Sequence, residues 1–440
     1  MPEQQTENIG ALLSLGVQHH EAGRLPQAEA LYRRVLELDA GNADALHLLG
    51  VLVDQIGQHD KALELIKAAI QHNPRNPHYH ANLANVLQAL GSRDEATVAL
   101  ERAFALDPGM VTALTNLGAL RQQQGRMDEA IAAYRHSLEL RPDYADAYYN
   151  LATALKEQGK LDEAIATLRQ AIALQPNSAN EHVVLAGYLL ERHDFNAALE
   201  ACDSCLKLAP RNIRALGFKS VALTELGERE ALRALVDFDM LIARQHIQAP
   251  PAAYPNLAAF NDALITHVRA HPSLVDNPST GATRGGGHTD ELLVDPKGPF
   301  ATFEQIINAA VTDYLQSLPL QQSHPYLAQR PRAWRLTVWG VVLRAEGHQV
   351  AHIHPGGWVS GVYYAKVPAV VDTAAGDHAG WIEFGQPPLE FHADAKAEVR
   401  AVKPEEGLLL LFPSYVYHRT IPYMSKEERV SIAFDVLPQF

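Results

Sequence analysis

The sequence predicts a multidomain protein: an all-α solenoid of repeated helix pairs, followed by a β jelly-roll domain with flanking helices. Three observations predict it. Residues in the first half recur at a spacing of 34. From Trp334 onward the pattern changes to short apolar runs separated by Gly, Pro, Asp and Glu. Among those runs sit His352-Ile353-His354, His418 and Arg429, residue types that suit a metal ion and an anion.

Composition narrows the class. At 440 residues the chain is long enough for two or three domains with a substantial core. It is 47% hydrophobic and 20% charged, a globular profile. The formal net charge is -14 and no basic run is present, so no nucleic-acid partner is expected. Cys202 and Cys205 are the two cysteines, which argues against a disulfide scaffold and fits a reducing compartment. The start, Met1-Pro2-Glu3-Gln4-Gln5, lacks the basic-then-apolar pattern of a secretory signal. No apolar stretch approaches the roughly 20 residues of a membrane helix. These features predict a soluble cytoplasmic protein without a membrane partner, its oligomeric state left open.

The repeat is carried by three series. Leu15-Gly16, Leu49-Gly50, Leu83-Ala84, Leu117-Gly118, Leu151-Ala152 and Leu185-Ala186 form the first. Ala28, Ala62, Ala96, Ala130, Ala164 and Ala198 form the second. Pro74, Pro108, Pro142, Pro176 and Pro210 form the third. Small residues let two helices approach, and proline ends each unit because it cannot continue a helix. Gly23, Gly57, Gly91, Gly125 and Gly159 mark the turn inside each unit, with His193 in the sixth slot. Period and positions resemble the tetratricopeptide repeat. The solenoid is expected over 9–246, with six clear repeats at 9–212 and a degenerate seventh at 213–246 acting as a cap. Such stacks present a groove, so a protein or peptide partner is expected there. Tyr148, Tyr149, Asn150, Lys156, Asn116 and Arg121 are its candidate residues. Cys202 and Cys205 fall on inward packing positions and read as small apolar residues.

Ala249-Pro250-Pro251-Ala252-Ala253-Tyr254-Pro255 reads as a linker, 247–257, before a second domain at 258–440. Helices are expected from Asn256 to Val268 and from Phe303 to Leu318. Thr283-Arg284-Gly285-Gly286-Gly287-His288-Thr289 lacks the lysine and spacing of a phosphate loop and reads as a loop near an active-site mouth. Strands are expected at 334–344, 349–353, 359–366, 380–384, 398–402, 407–412, 416–420 and 429–436. About eight strands over roughly 100 residues suggest a jelly roll or sandwich.

On a strand, His352 and His354 face the same way, because side chains repeat every second residue. His418 follows Gly407-Leu408-Leu409-Leu410-Leu411-Phe412-Pro413 on a distant strand that a jelly roll can bring alongside. His352-Ile353-His354-Pro355-Gly356-Gly357-Trp358-Val359-Ser360-Gly361-Val362-Tyr363-Tyr364, Phe412-Pro413-Ser414, His418, Arg429 and Ser431-Ile432-Ala433-Phe434 resemble the iron(II)- and 2-oxoglutarate-dependent oxygenases. The likeness covers roughly 258–440 and implies a double-stranded β-helix. It implies metal ligation by His352 and His418. The superfamily usually has Asp or Glu where this chain has His354, which leaves open whether His354 is a third ligand or stands outside a two-histidine site. Iron(II) is the metal implied, with 2-oxoglutarate and dioxygen as cosubstrates. Arg429 would bind the distal carboxylate of 2-oxoglutarate, since guanidinium pairs with it bidentately. Ser431 and Tyr364 would assist. Trp339, Trp358, His348 and Gln349 are weaker candidates for the substrate side; Asp377, His378 and Glu383 follow the ligand strand, and one of those carboxylates is a weaker candidate for a missing donor.

The resemblance implies a hydroxylase, and the repeat arm points to a protein or peptide side chain as substrate. The alternatives are a small-molecule 2-oxoglutarate oxygenase, a cupin-type metalloenzyme, or a non-catalytic repeat scaffold with a degenerate barrel. A cupin usually has a glutamate soon after His-x-His, and Pro355-Gly356-Gly357-Trp358-Val359 supplies none.

Overall fold

A computed structural model of the chain describes residues 8–247, 250–276, 282–328, 330–373, 378–392 and 395–439. Gln248 and Ala249 of the expected linker, and Asp377, lie outside the described residues. The chain divides into two compact units, Met1–Pro176 and Asn177–Phe440.

The first unit is a run of helix pairs, beginning with Ile9–Glu21 and Leu25–Leu38 and ending with Ala145–Glu157 and Leu161–Leu174. The repeating residues explain the pairing. A Cβ placed on Gly16, Gly50 or Gly118 would lie within 2.6–2.7 Å of Tyr32, Ile66 or Tyr134, so the paired helices touch there. Ala28, Ala62, Ala96, Ala130 and Ala164 are wholly buried. The turn glycines, from Gly23 to Gly159, take left-handed φ values of 71–80°, which a side chain would disfavour. Successive first helices are also tied by polar contacts 35 residues apart. Tyr79 donates to Asp44 at 2.5 Å, and Asn82 meets the buried His47 at 2.8 Å.

Two more helix pairs open the second unit: Ala179–Glu191 with Phe195–Leu208, and Ile213–Leu226 with the short Arg229–Leu235. His193 takes φ 58° in the slot where the other repeats have glycine. Cys202 and Cys205 are buried free thiols, both pushed up by burial, as packing residues would be. The last pair was expected to cap the stack; its helices also pack on the β domain. A Cβ on Gly217 would lie 3.1 Å from Ile353 and 3.2 Å from the Tyr415 carbonyl. The Leu235 carbonyl accepts from Tyr415 at 2.6 Å and from His324 at 3.1 Å.

Among the described residues the strands that follow are β1 (Ala243–His246), β2 (Val275–Asp276), β3 (Thr283–His288), β4 (Ala333–Gln349), β5 (Val359–Lys366), β6 (Ile382–Phe384), β7 (Arg400–Val402), β8 (Leu408–Pro413), β9 (His418–Thr420) and β10 (Arg429–Gln439). One sheet has the order β1-β8-β5-β10-β4-β3-β2, and a second has β7-β6-β9. The described pairings are antiparallel. An apolar core that includes Phe260, Phe303, Tyr363 and Phe434 joins them to the helices Leu257–Ala270 and Phe300–Ser317. Asn256 caps the first of these helices by accepting from Ala259 N.

Three differences from the sequence reading matter. Thr283–His288 is strand β3, not a loop. Its glycines permit an approach to β4 so close that a Cβ on Gly286 would sit 2.3 Å from the Val342 carbonyl. The expected strands 334–344 and 349–353 are replaced by one long strand, β4, which ends at Gln349. β1 had no sequence signal, because three of its four residues are exposed at the sheet edge.

Candidate metal centre

Backbone pairing brings the histidines together. His352 and His418 form an isolated antiparallel bridge, each amide donating to the other's carbonyl at 3.1 Å. The His354 amide donates to Ser414 O at 3.0 Å, and the turn closes with Gly357 N to His354 O at 3.1 Å. Gly357 is needed there, because a Cβ would meet Ser414 Oγ at 2.6 Å. The ring centroids lie 5.1 Å (352–354), 4.3 Å (352–418) and 5.1 Å (354–418) apart.

One nitrogen from each of the three histidines lies within 4.8 Å of the others, a cluster capable of coordinating a metal ion. The second nitrogen of each ring is already used. Nδ1 of His352 donates to Val350 O at 2.7 Å, and Nδ1 of His418 donates to Val416 O at 3.1 Å. Carbonyls can only accept, so these rings carry their proton on Nδ1 and turn a bare Nε2 inward. Nδ1 of His354 donates to Asp435 Oδ2 at 2.9 Å, and its buried Nε2 has no partner. Burial, reinforced by His354, pushes His352 down to about 3. Burial pushes His418 well below the ordinary histidine range. Both rings are therefore neutral at physiological pH, the form that ligates metals.

Asp435 is the residue the sequence reading missed. Its Oδ1 accepts from Ser360 Oγ at 2.6 Å, and Ser360 Oγ meets Ser414 Oγ at 2.9 Å. The signal was available: Arg429, Ser431, Ala433 and Asp435 alternate along β10 and share one face. A carboxylate behind a ligand imidazole fixes its tautomer and raises its basicity. The carboxylate absent from position 354 thus stands one shell behind it.

Arg429 and Ser431 lie on that face, 2% and 3% exposed, and Tyr364 is wholly buried. All three line an enclosed cavity with the three histidines. The Arg429 guanidinium lies 4.8 Å from the Tyr364 ring centroid and donates to Gly380 O at 2.7 Å. Among the described residues no carboxylate lies within ion-pair distance of Arg429, and its Nε and the Tyr364 hydroxyl are buried without partners. Burial raises Tyr364, with Arg429 pulling the other way, so the phenol keeps its proton.

The weaker candidates separate. Trp339 stacks on His354 with centroids 5.6 Å apart, and Gln349 lines the same cavity. His348 lines an outer cleft. Trp358 is 2% exposed and stacks on Tyr326 at 4.4 Å, so it is a core residue. Glu383 is held by Arg419 at 2.6 Å and His378 stacks on Trp381 at 4.3 Å; neither joins the cluster. In the repeats, Tyr148, Tyr149, Asn150, Lys156 and Asn116 are half-buried. Arg121 is instead buried in an ion pair with Glu101 at 2.5 Å.

A family model described as "Putative 2OG-Fe(II) oxygenase" matches residues 337–435. A second, described as "Cilia and flagella-associated protein 70 C-terminal domain", matches residues 3–219. No curated protein matches the chain. Solved structures similar to it include MamA, at 26% identity over 37% of this chain and 94% of that one, with a TM-score of 0.34. PilF of Pseudomonas aeruginosa is 21% identical over 48% of this chain and 96% of that one, with a TM-score of 0.44. YrrB, described as a TPR protein with an unusual peptide-binding site, is 25% identical over 40% and 90%, with a TM-score of 0.34. No helix among the described residues is long and apolar enough to cross a membrane. The repeat geometry, the histidine cluster and the two family matches agree: the chain carries an N-terminal tetratricopeptide-like repeat domain and a C-terminal domain of the 2OG-Fe(II) oxygenase kind.

Proposed function

We propose that the protein is a polypeptide-binding repeat scaffold whose β domain holds iron(II) and 2-oxoglutarate and hydroxylates a side chain of the bound polypeptide. The observation that carries the reading is the buried Arg429 guanidinium beside three inward-facing imidazoles, with no carboxylate against it among the described residues. A buried cation is costly without a counter-charge, and a dicarboxylate cosubstrate supplies one. The unpartnered Tyr364 hydroxyl and Ser431 suit the same carboxylate. The donor set fits iron(II), since imidazole suits it.

When bound, iron(II) with 2-oxoglutarate and dioxygen supplies the oxidising power that turns a C–H bond into an alcohol, with succinate and carbon dioxide as the other products. The chain's own part is positional. His352, His354 and His418 offer three imidazole donors, oriented by Val350 O, Asp435 and Val416 O. Arg429 orients the cosubstrate, Tyr364 and Phe412 wall the site from water, and Trp339 and Gln349 border the substrate side.

A second reading keeps the scaffold and makes the β domain a non-catalytic binding module. Two observations favour it: histidine stands at position 354 where related enzymes have a carboxylate, and the enclosed cavity measures about 20 Å³, room for little more than a water molecule. Anaerobic protein mixed with iron(II) and 2-oxoglutarate separates the readings. A visible charge-transfer band that disappears in Arg429→Ala, followed by 2-oxoglutarate consumption on admitting oxygen, supports the hydroxylase. Iron binding without a band supports the module. Loss of the band in His354→Ala would mark His354 as a ligand.

A further inference from the structure

The metal centre opens to one cleft, and a second cleft lies beside it. The first, about 450 Å³, is lined by Asp290, Glu291, Trp339 and Gln349 together with His352 and His354. The second, about 390 Å³, is lined by Gln349, Val350, Pro387, Pro388 and Leu389. Gln349 borders both clefts and the enclosed cavity that holds the histidines and Arg429. The divider is the end of the β3–β4 pair: Thr283 opposes Gln349 and Arg284 opposes His348. Neighbours on a strand face opposite ways, so Thr283 lines the first cleft and Arg284 the second.

The clefts differ chemically. Asp290 and Glu291 are the acidic residues of the first, and among the described residues no lysine or arginine lines it. Glu291 Oε1 accepts from the amides of Leu293 at 2.9 Å and Val338 at 3.1 Å, contacts that fix the carboxylate in place. The second cleft is an apolar shelf, with Leu389 84% exposed and Val350 36% exposed. Its charges nearly cancel: Arg419 is paired with Glu383 at 2.6 Å, and Arg284 and Glu390 have opposite signs. The shelf is braced from behind. Phe391 packs edge-on to Phe218 at 5.5 Å, and His392 meets Glu225 at 2.6 Å.

We propose that the two clefts take one extended polypeptide segment, with a cationic side chain in the Asp290–Glu291 cleft and an apolar side chain on the Leu389 shelf. The residue between them passes over Gln349, which borders the cavity of the three histidines. This rests on the hydroxylase reading for what happens there, but not for the docking itself. Two clefts of different character on either side of Gln349 suit successive side chains of one extended chain. Alternate side chains of an extended chain enter pockets on either side of a central residue, the usual logic of extended-peptide recognition.

The test uses the full-length protein and fluorescein-labelled nonapeptides with a lysine before, and a leucine after, a varied central residue. Counterparts carry glutamate for the lysine or serine for the leucine. Anisotropy should give at least tenfold tighter binding for the lysine–leucine set than for its glutamate counterparts. Asp290→Lys should invert that preference, and Leu389→Ser should remove the preference for leucine, with thermal melts unchanged. Equal binding of the lysine and glutamate sets, or a preference that survives both substitutions, overturns the proposal. So does displacement of the peptides by free lysine at equal concentration, which would mark a metabolite site. The iron(II)–2-oxoglutarate band is recorded on the same samples. A band without peptide preference overturns the docking alone; preference without a band overturns the hydroxylase reading and leaves the docking standing.

Discussion

Asp435→Asn is the substitution that tests the centre most directly. Asp435 accepts from His354 Nδ1 at 2.9 Å and from Ser360 Oγ at 2.6 Å. Asparagine keeps the shape. Its carbonyl can still face His354, and its amide can face Ser360, which then accepts and donates onward to Ser414, 2.9 Å away. What is lost is the charge behind the imidazole. A charge-assisted hydrogen bond contributes about 1.5–3 kcal/mol against about 1 for a neutral one, so the expected loss is about 1–2 kcal/mol. That corresponds to roughly 5–30-fold in affinity, consistent with the roughly 10–100-fold usual for partners of ligand histidines. The assay is anaerobic iron(II) titration of wild type and variant, with thermal melting as the control for folding. An unchanged metal affinity in a folded Asp435→Asn protein would refute the role assigned to Asp435. Asp435→Ala, which also strands Ser360 and His354 Nδ1, should lose more.

His354→Asp, which restores the residue type of related enzymes, should weaken metal binding because it sets a second carboxylate beside Asp435; adding Asp435→Asn should recover it, and a single variant that binds better would contradict the reasoning. In the repeats, burial lowers His47 from the ordinary range to about 4. The unfolded chain therefore binds an extra proton between about pH 6.5 and 4, so the contribution is complete above pH 6.5 and is lost as the pH falls through that window. The loss is about 3 kcal/mol at most, read from urea melts at pH 7 and 4.5, and His47→Gln should flatten the dependence. Gly286→Ala forces a Cβ to within 2.3 Å of the Val342 carbonyl; it should cost about 1–3 kcal/mol by overpacking, and an unchanged melting temperature would count against β3 lying where it does.

The repeats were legible in the sequence because each unit must meet the same steric demands. A helix pair needs small residues where the helices touch, and a left-handed residue where the chain turns. Those demands recur every 34 residues, from Gly16 against Tyr32 to Gly118 against Tyr134. The His352–His354 pair was legible as two imidazoles two residues apart, and Arg429 through the resemblance, although both histidines lie beyond the end of β4. The strand from the glycine run was not, because three glycines normally signal a loop, and only the close approach of β4 gives them a reason to be extended.

By itself, then, the sequence determined the helical repeat, the strand-rich second half and the three histidines that cluster there. All are written in spacings of a few residues or in a strict period. Tertiary structure alone decided that Asp435, 81 residues after His354, stands behind it. It alone decided that Gln349 divides two clefts of opposite character, and that the last repeat braces one of them. Such relations depend on which strands become neighbours, and neighbours are chosen by the burial of a whole core, not by any local stretch of chain.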